Sequence, residues 1–310
     1  MDPVDPVDAV APGRRDDPRP VLVVGATGKT GRAVAAALLA RGVPVRAAVR
    51  AGREHAAPEG STPVAVDLAT GLGLAAAFDG VQAVYHLAPN MHPEEVAFAR
   101  RVAGAATAAR EGRLVFHSVL HPDDRRMPHH LRKARAEEVL RAALGDRLTV
   151  LRPAAYHQNL LDQVLAGVLQ VPYSLDAPFT NVDLDDVAEV AADAVTGAHP
   201  GRTLELAGPQ VLTTRQLAEE AAVALGRPVR VTRMPLSEWL AGPGAALSDQ
   251  ARHDLAAMFT AYDEDGLVGD PGVLPALLGR PATTWRALVD RTGSSSATRG
   301  APVPGDDGTG

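Results

Sequence analysis

Val21-Leu-Val-Val-Gly25-Ala-Thr-Gly28-Lys-Thr-Gly31 decides the fold. Four apolar residues stop at a glycine, two more glycines follow at three-residue steps, and an Ala/Leu-rich helical pattern begins at once. That succession reads as strand, tight turn and helix N-terminus. Such a turn lets the backbone approach a pyrophosphate, and the free N–H groups of the first helical turn meet it with the positive end of the helix dipole. Gly25, Thr27, Gly28, Lys29, Thr30 and Gly31 are therefore the expected phosphate-binding residues. A triphosphate-binding P-loop needs a glycine five residues before Gly28, and position 23 is Val, so the spacing favours a dinucleotide.

The next strand discriminates between cofactors. Val43-Pro-Val-Arg-Ala-Ala-Val49 ends at Arg50, about 20 residues beyond the glycines, where a chain that binds NAD presents an acid to the ribose 2′-hydroxyl. Arg50, with Arg53 close behind, instead offers a planar guanidinium suited to a 2′-phosphate, so NADP(H) is the expected cofactor.

Outward from this core, strands and helices alternate. Strands are predicted at 21–24, 44–49, 63–66, 82–87, 113–118 and 148–151, and helices at 30–41, 72–78, 93–111, 131–144 and 185–197. Strand–helix–strand repetition builds a parallel sheet with helices on both faces: a doubly wound α/β Rossmann fold. Ligands then lie at the carboxyl ends of the strands. Those ends bring Gly25 to Gly31, Arg50, Asp67 and Leu68, Ala88 and Pro89, and Ser118 to one crevice, so Asp67 and Leu68 join the expected cofactor-binding set. The Rossmann domain is assigned to 20–200, extending into later segments. A smaller C-terminal substrate lobe is assigned to 201–291, with helices at 214–225, 236–241, 247–265 and 283–291 and a strand at 229–232. Residues 1–19 and 292–310, rich in Asp, Pro, Gly, Ser and Thr, read as disordered tails.

Composition narrows the classes. A chain of 310 residues with 46% hydrophobic content and a formal charge of −6 is a soluble globular protein and a poor partner for nucleic acid. With no run of about 18 apolar residues and an acidic, proline-rich start, it is expected in the cytoplasm, away from the membrane. Zero cysteines exclude thiolate metal sites and cysteine nucleophiles, and the ten histidines show no metal-ligand spacing, so no metal is expected. Lys29 and Lys133 are the only lysines among 31 basic residues, the bias of a GC-rich genome, which singles out Lys133 as a functional candidate.

Several stretches together resemble one family. The Val-Leu-Val-Val-Gly-Ala-Thr-Gly-Lys-Thr-Gly loop, the Val-Arg-Ala-Ala-Val-Arg strand, Tyr85-His-Leu-Ala-Pro89, Phe116-His-Ser-Val, Lys133 followed by Glu137, Leu151-Arg-Pro-Ala-Ala-Tyr-His-Gln-Asn159 and Val182-Asp-Leu-Asp-Asp-Val-Ala-Glu are similar to NmrA-like atypical short-chain dehydrogenase/reductases. The resemblance spans residues 20 to 290. It implies Arg50 on the 2′-phosphate, Ala88 and Pro89 beside the nicotinamide ribose, Ser118 at the nicotinamide end, and Lys133 on the ribose hydroxyls. The segment with Tyr156, His157 and Asn159 would begin the substrate wall.

The parent superfamily uses a Tyr four residues before its Lys as proton donor, and here that position is His129. His129 could donate from an imidazolium with Ser118 bonded to the substrate oxygen, or the proton could come from Lys133, Tyr156 or His157. The expected function is NADPH-dependent reduction of a small organic carbonyl or activated alkene, in bacterial specialised metabolism. Two alternatives stand beside it: an NADP(H)-sensing regulator that binds a protein partner without turnover, and a redox-neutral isomerase, lyase or cyclase. Oligomeric state is left open.

Overall fold

The computed structural model describes residues 19–109 and 112–299. Of the disordered tails read from the sequence at 1–19 and 292–310, residues 1–18 and 300–310 lie outside the described residues, whereas 292–299 are helical. The first half alternates as expected: β1 (Val21–Val24), α1 (Lys29–Ala40), β2 (Val45–Val49), β3 (Thr62–Ala65), α2 (Leu74–Phe78), β4 (Ala83–His86), α3 (Glu95–Ala108), β5 (Arg113–His117), α4 (Pro128–Leu144) and β6 (Leu148–Pro153). β1 shows why the sheet is buried on both faces. Val21 and Val23 pack with Val34 and Leu38 of α1, whereas Leu22 and Val24 pack with Val102 and Leu140 from the helices opposite. A strand covered on both sides must be apolar throughout, which is the pattern that the sequence carries.

After β6 the chain forms α5 (Leu161–Leu165), β7 (Val168–Val171), β8 (Pro178–Phe179), α6 (Leu184–Thr196) and β9 (Thr203–Leu206). The sheet is seven-stranded, in the order β3-β2-β1-β4-β5-β6-β9, and every neighbouring pair is parallel. Strand order reverses at β1, which puts the crevice between the carboxyl ends of β1 and β4.

The second lobe differs from the sequence expectation in composition. β9, which follows position 200, belongs to the main sheet, with Val150 paired to Thr203. Conversely, residues before 200 help to build the lobe: β7 pairs with β11 (Arg230–Arg233), and β8 with β10 (Leu212–Thr213). The remaining helices are α7 (Thr214–Leu225), α8 (Leu236–Ala241), α9 (Asp249–Asp265), α10 (Val273–Leu278) and α11 (Trp285–Arg299). The lobe's core gathers Val164 and Leu169 with Leu217, Trp285 and Leu288, residues from both sides of position 200. Short half-exposed strands such as Thr-Leu-Glu-Leu carry too little periodicity to show which sheet they join.

Helix boundaries also move, most of all at α11 and α4, and residues 110–111 of the helix expected at 93–111 lie outside the described residues. α11 runs to Arg299, beyond the end expected at 291, because packing overrides the weak propensity of Gly293 and its serines: a Cβ on Gly293 would lie 2.8 Å from Leu225 of α7. α4 begins at Pro128, three residues earlier than expected, because proline at the first helical position has no N–H to lose and a preset φ. His129 and His130 therefore sit inside the first turn, each 3% exposed. α6 is capped by Asp183, whose side chain accepts the Asp185 N–H at 3.1 Å. The buried Asp186 anchors the lobe instead, accepting from the Thr283 N–H at 2.6 Å and from Arg280 at 2.8 Å.

Candidate active site

The glycine loop behaves as three distinct positions. Gly25 has φ +86°, and a Cβ there would stand 2.5 Å from the Leu87 carbonyl oxygen, so both conformation and space demand glycine. A Cβ on Gly31 would lie 2.1 Å from the Gly25 oxygen, so this residue lets α1 start directly against the turn. Gly28 is unlike both. It has φ −78°, and its Cβ would meet only the Gly25 oxygen, at an ordinary 3.6 Å. Nothing among the described residues requires glycine at position 28, and its open side leaves the backbone accessible to a ligand. Gly28 also caps α1 without a side-chain hydrogen bond, so the first-turn N–H groups remain available to an anion.

Around this loop the sequence candidates separate. The exposed Arg50 guanidinium makes no hydrogen bond or ion pair with another described residue and is free to meet a phosphate. Asp67 closes its own turn by accepting the Ala69 N–H at 2.8 Å, and these bonds hold its carboxyl below the usual range. The Leu68 carbonyl receives Arg101 at 3.1 Å. Ala88 is buried and Pro89 exposed at the end of β4. Thr27 is exposed, and its carbonyl accepts from Arg32 at 3.1 Å.

Lys133 is buried. Its Nζ donates to the His117 carbonyl at 3.0 Å, pairs with the fully buried Glu95 at 3.0 Å and lies 5.1 Å from the centroid of the Phe116 ring. The carbonyl occupies one of the ammonium's three donors, and Glu95 meets it as an ion pair without hydrogen-bond geometry. Burying either charge alone would cost several kcal/mol, roughly the penalty that the pairing offsets.

The four other proton-donor candidates are not equivalent. Ser118 donates to Glu137 at 2.5 Å, and Glu137 is clamped by Arg152 at 3.1 and 2.7 Å, so the serine proton ties β5 to α4 rather than facing a substrate. Burial and the Lys133 charge push His129 down to about 2, which disfavours the imidazolium that a donor at this position would need at neutral pH. His157 turns away into the second lobe, 5.2 Å from the Trp285 ring, and burial lowers it to about 4. A helical i, i+4 relation or a position after a strand does not reveal which way a ring points.

Tyr156 is the candidate that stays at the crevice. It follows β6 half-buried, and its hydroxyl lies 2.7 Å from His117 Nε2 and 3.5 Å from Thr30 Oγ1 of the phosphate loop. Lys29 stands 5.9 Å from its ring centroid and donates to Asn159 at 2.7 Å, linking the loop to the segment that follows β6; burial lowers the ammonium's pKa. Beyond His117, Nδ1 meets the fully buried Tyr85 hydroxyl at 2.5 Å. Tyr85, His117 and Glu95 were absent from the sequence-based site. The first two stand at or next to the carboxyl ends of β4 and β5, a placement that could have marked them. Among the described residues no group of three or more His, Asp or Glu side chains could hold a metal, and no helix is long and apolar enough to cross a membrane.

The profile of the NmrA-like family matches residues 18–299. The chain belongs to the NmrA-like family. Within this family's reach, it is 32% identical over 279 residues to the (4-alkanoyl-5-oxo-2,5-dihydrofuran-3-yl)methyl phosphate reductase of Streptomyces griseus, an alignment covering 86% of this chain and 95% of that protein. It is 27% identical to an NAD(P)H azoreductase of Xenophilus azovorans, with 86% and 95% coverage. The crystal structure of an Escherichia coli NADPH-dependent quinone oxidoreductase in complex with NADPH superposes with a TM-score of 0.74 at 26% identity, covering 88% of this chain and 99% of that one. This NmrA-like protein therefore shares its fold with that quinone oxidoreductase over nearly the whole of both chains.

Proposed function

We propose that the protein is an NADPH-dependent reductase of small, electron-poor conjugated molecules, with an acyl butenolide or quinone as the substrate class and Tyr156 as proton donor. The observation that carries the reading is the Tyr156 phenol, half-buried beside Thr30 of the phosphate loop, while Ser118 and His157 are turned to other partners and His129 is buried in the first turn of α4 with its Nδ1 unpaired among the described residues. The chemistry of the relatives supports it. A furanone, an azo compound and a quinone each present a conjugated π system that accepts a hydride and then a proton.

NADPH, when bound, supplies a hydride from its nicotinamide C4. The protein's own part is to bind and to place. Gly28 and the first-turn N–H groups receive the diphosphate, Arg50 receives the 2′-phosphate through a charge-assisted fork, and Ala88 and Pro89 face the ribose. Lys133, paired with Glu95 and bonded to the His117 carbonyl, keeps donors for the ribose hydroxyls. Tyr156, whose pKa burial raises, stays protonated at neutral pH and gives its proton to the oxygen on which substrate charge develops.

The test is anaerobic NADPH oxidation with menadione and with an acyl butenolide. Turnover lost in Tyr156→Phe, with NADPH affinity retained, is the expected result. NADPH binding without turnover on any conjugated acceptor would favour a cofactor sensor instead.

A further inference from the structure

We propose that His117 and Tyr85 are positioning residues that orient the Tyr156 hydroxyl, His117 as the Nε2–H tautomer donating to Tyr156 Oη and Tyr85 donating to His117 Nδ1. This rests on the reductase reading, since it assigns the Tyr156 proton a destination. The argument is one of satisfying buried donors. His117 lies at the end of β5, 4% exposed, with Tyr85 on one ring nitrogen and Tyr156 on the other. Burial and the nearby Lys133 ammonium lower its pKa to about 3, so at neutral pH the ring carries one N–H and one lone pair.

Only two arrangements exist. If Nδ1 held the proton it would donate to Tyr85, and the Tyr85 hydroxyl, which has no other partner among the described residues, would be left as a buried donor without an acceptor. With the proton on Nε2, Tyr85 donates to Nδ1 and His117 donates to Tyr156, so the one proton left over belongs to the half-buried Tyr156 instead of the fully buried Tyr85. Thr30 Oγ1 donates to the same Tyr156 oxygen at 3.5 Å. Two donors thus converge on Oη, so its own proton is turned toward the crevice and the phenolate left behind has hydrogen bonds already in place.

The step balances. The hydride brings two electrons to the β-carbon of the conjugated bond, and the π pair moves to the substrate oxygen. The Tyr156 O–H bond breaks with its pair remaining on Oη, and the proton passes to that substrate oxygen. The phenolate, held by His117 and Thr30, takes a proton back from solvent. His117 and Tyr85 keep their own protons throughout, because burial holds the Tyr85 phenol well above its ordinary pKa and makes a tyrosinate there costly.

The experiment has two readouts. In ligand-free, ¹⁵N-histidine-labelled full-length protein, the signal assigned to His117 by its loss in His117→Gln is expected to show a protonated Nε2 and an unprotonated Nδ1. A protonated Nδ1 overturns the positioning. In turnover with menadione, Tyr85→Phe is expected to lower kcat about tenfold with KM and NADPH affinity unchanged, while the tautomer becomes mixed. Tyr156→Phe should lose on the order of a hundredfold or more. Wild-type kcat in Tyr85→Phe overturns the proposal even though the reductase reading stands. A wild-type protein that turns over neither menadione nor an acyl butenolide sinks the reductase reading and the catalytic consequence together, leaving the tautomer to judge the positioning alone.

Discussion

Replacing Gly28 by Ala separates the fold from the site. The added Cβ meets only the Gly25 oxygen at 3.6 Å, an ordinary contact, and the backbone φ of −78° suits any residue. The cost to the fold is the loss of a favoured cap residue, about 1 kcal/mol, which lowers the Tm by only about 4 °C or less in a chain of this size. The cost to binding is larger. The methyl group occupies the open side of the loop, where a phosphate must approach the first-turn N–H groups. Hydrogen bonds to a charged group are each worth about 1.5–3 kcal/mol, so displacing the diphosphate from two of them weakens NADPH by roughly 150-fold or more. Gly31→Ala provides the contrast, since its Cβ would fall 2.1 Å from a backbone oxygen and 2.8 Å from the Ala26 Cα, overlaps that must unsettle the loop itself. Circular dichroism melting and NADPH fluorescence titration measure the two costs. A Gly28→Ala protein that melts normally and binds NADPH as the wild type does would refute the assignment of the loop.

Arg50→Ala should weaken NADPH by about 10- to 100-fold and NADH hardly at all, with no change in Tm, because the guanidinium has no partner among the described residues to lose; equal losses for both nucleotides would count against the 2′-phosphate contact. Ser118→Ala removes the bond to Glu137 and should cost about 1–2 kcal/mol in chemical denaturation while kcat stays within about threefold; a collapse of kcat with unchanged stability would return Ser118 to the chemistry. Burial holds His86 and His117 at about 3 and His129 at about 2, so the fold keeps them neutral, and below about pH 6.5 the unfolded chain binds the extra protons. Stability is therefore present above pH 6.5 and falls as pH drops toward 4.5, by up to about 1.4 kcal/mol per pH unit for each histidine. Urea midpoints across that range check it, with a shallower slope expected in His129→Gln and a flat profile contradicting it.

Much of this molecule was legible before its structure. The strand–glycine–helix junction at 21–31 and the apolar runs named the parallel sheet, because a strand buried on both faces has to be apolar and a phosphate loop has to be small. The carboxyl-end rule then collects the candidate cofactor residues at one crevice. Chemistry at the crevice was harder to read. Ser118, His129 and His157 were reasonable donors by position along the chain, but whether a side chain faces solvent, Glu137 or Trp285 is settled by helices packed from elsewhere. Tyr85 and His117 are 32 residues apart in sequence and meet only because β4 and β5 are neighbours. Glu95 reads as an ordinary acid at a helix start, and only its burial against Lys133 distinguishes it. The lobe's short strands pair across long stretches of chain, so no local pattern announced which sheet each would join.

Hydride transfer itself is the central claim, and NADPH deuterated on the transferred position of nicotinamide C4 tests it directly. Incubated anaerobically with the protein and an acyl butenolide, it should deliver deuterium to the β-carbon of the reduced product, as read by mass spectrometry and proton NMR. An unlabelled product, or tightly bound NADPH that never gives up its deuterium to any conjugated acceptor, would contradict the account.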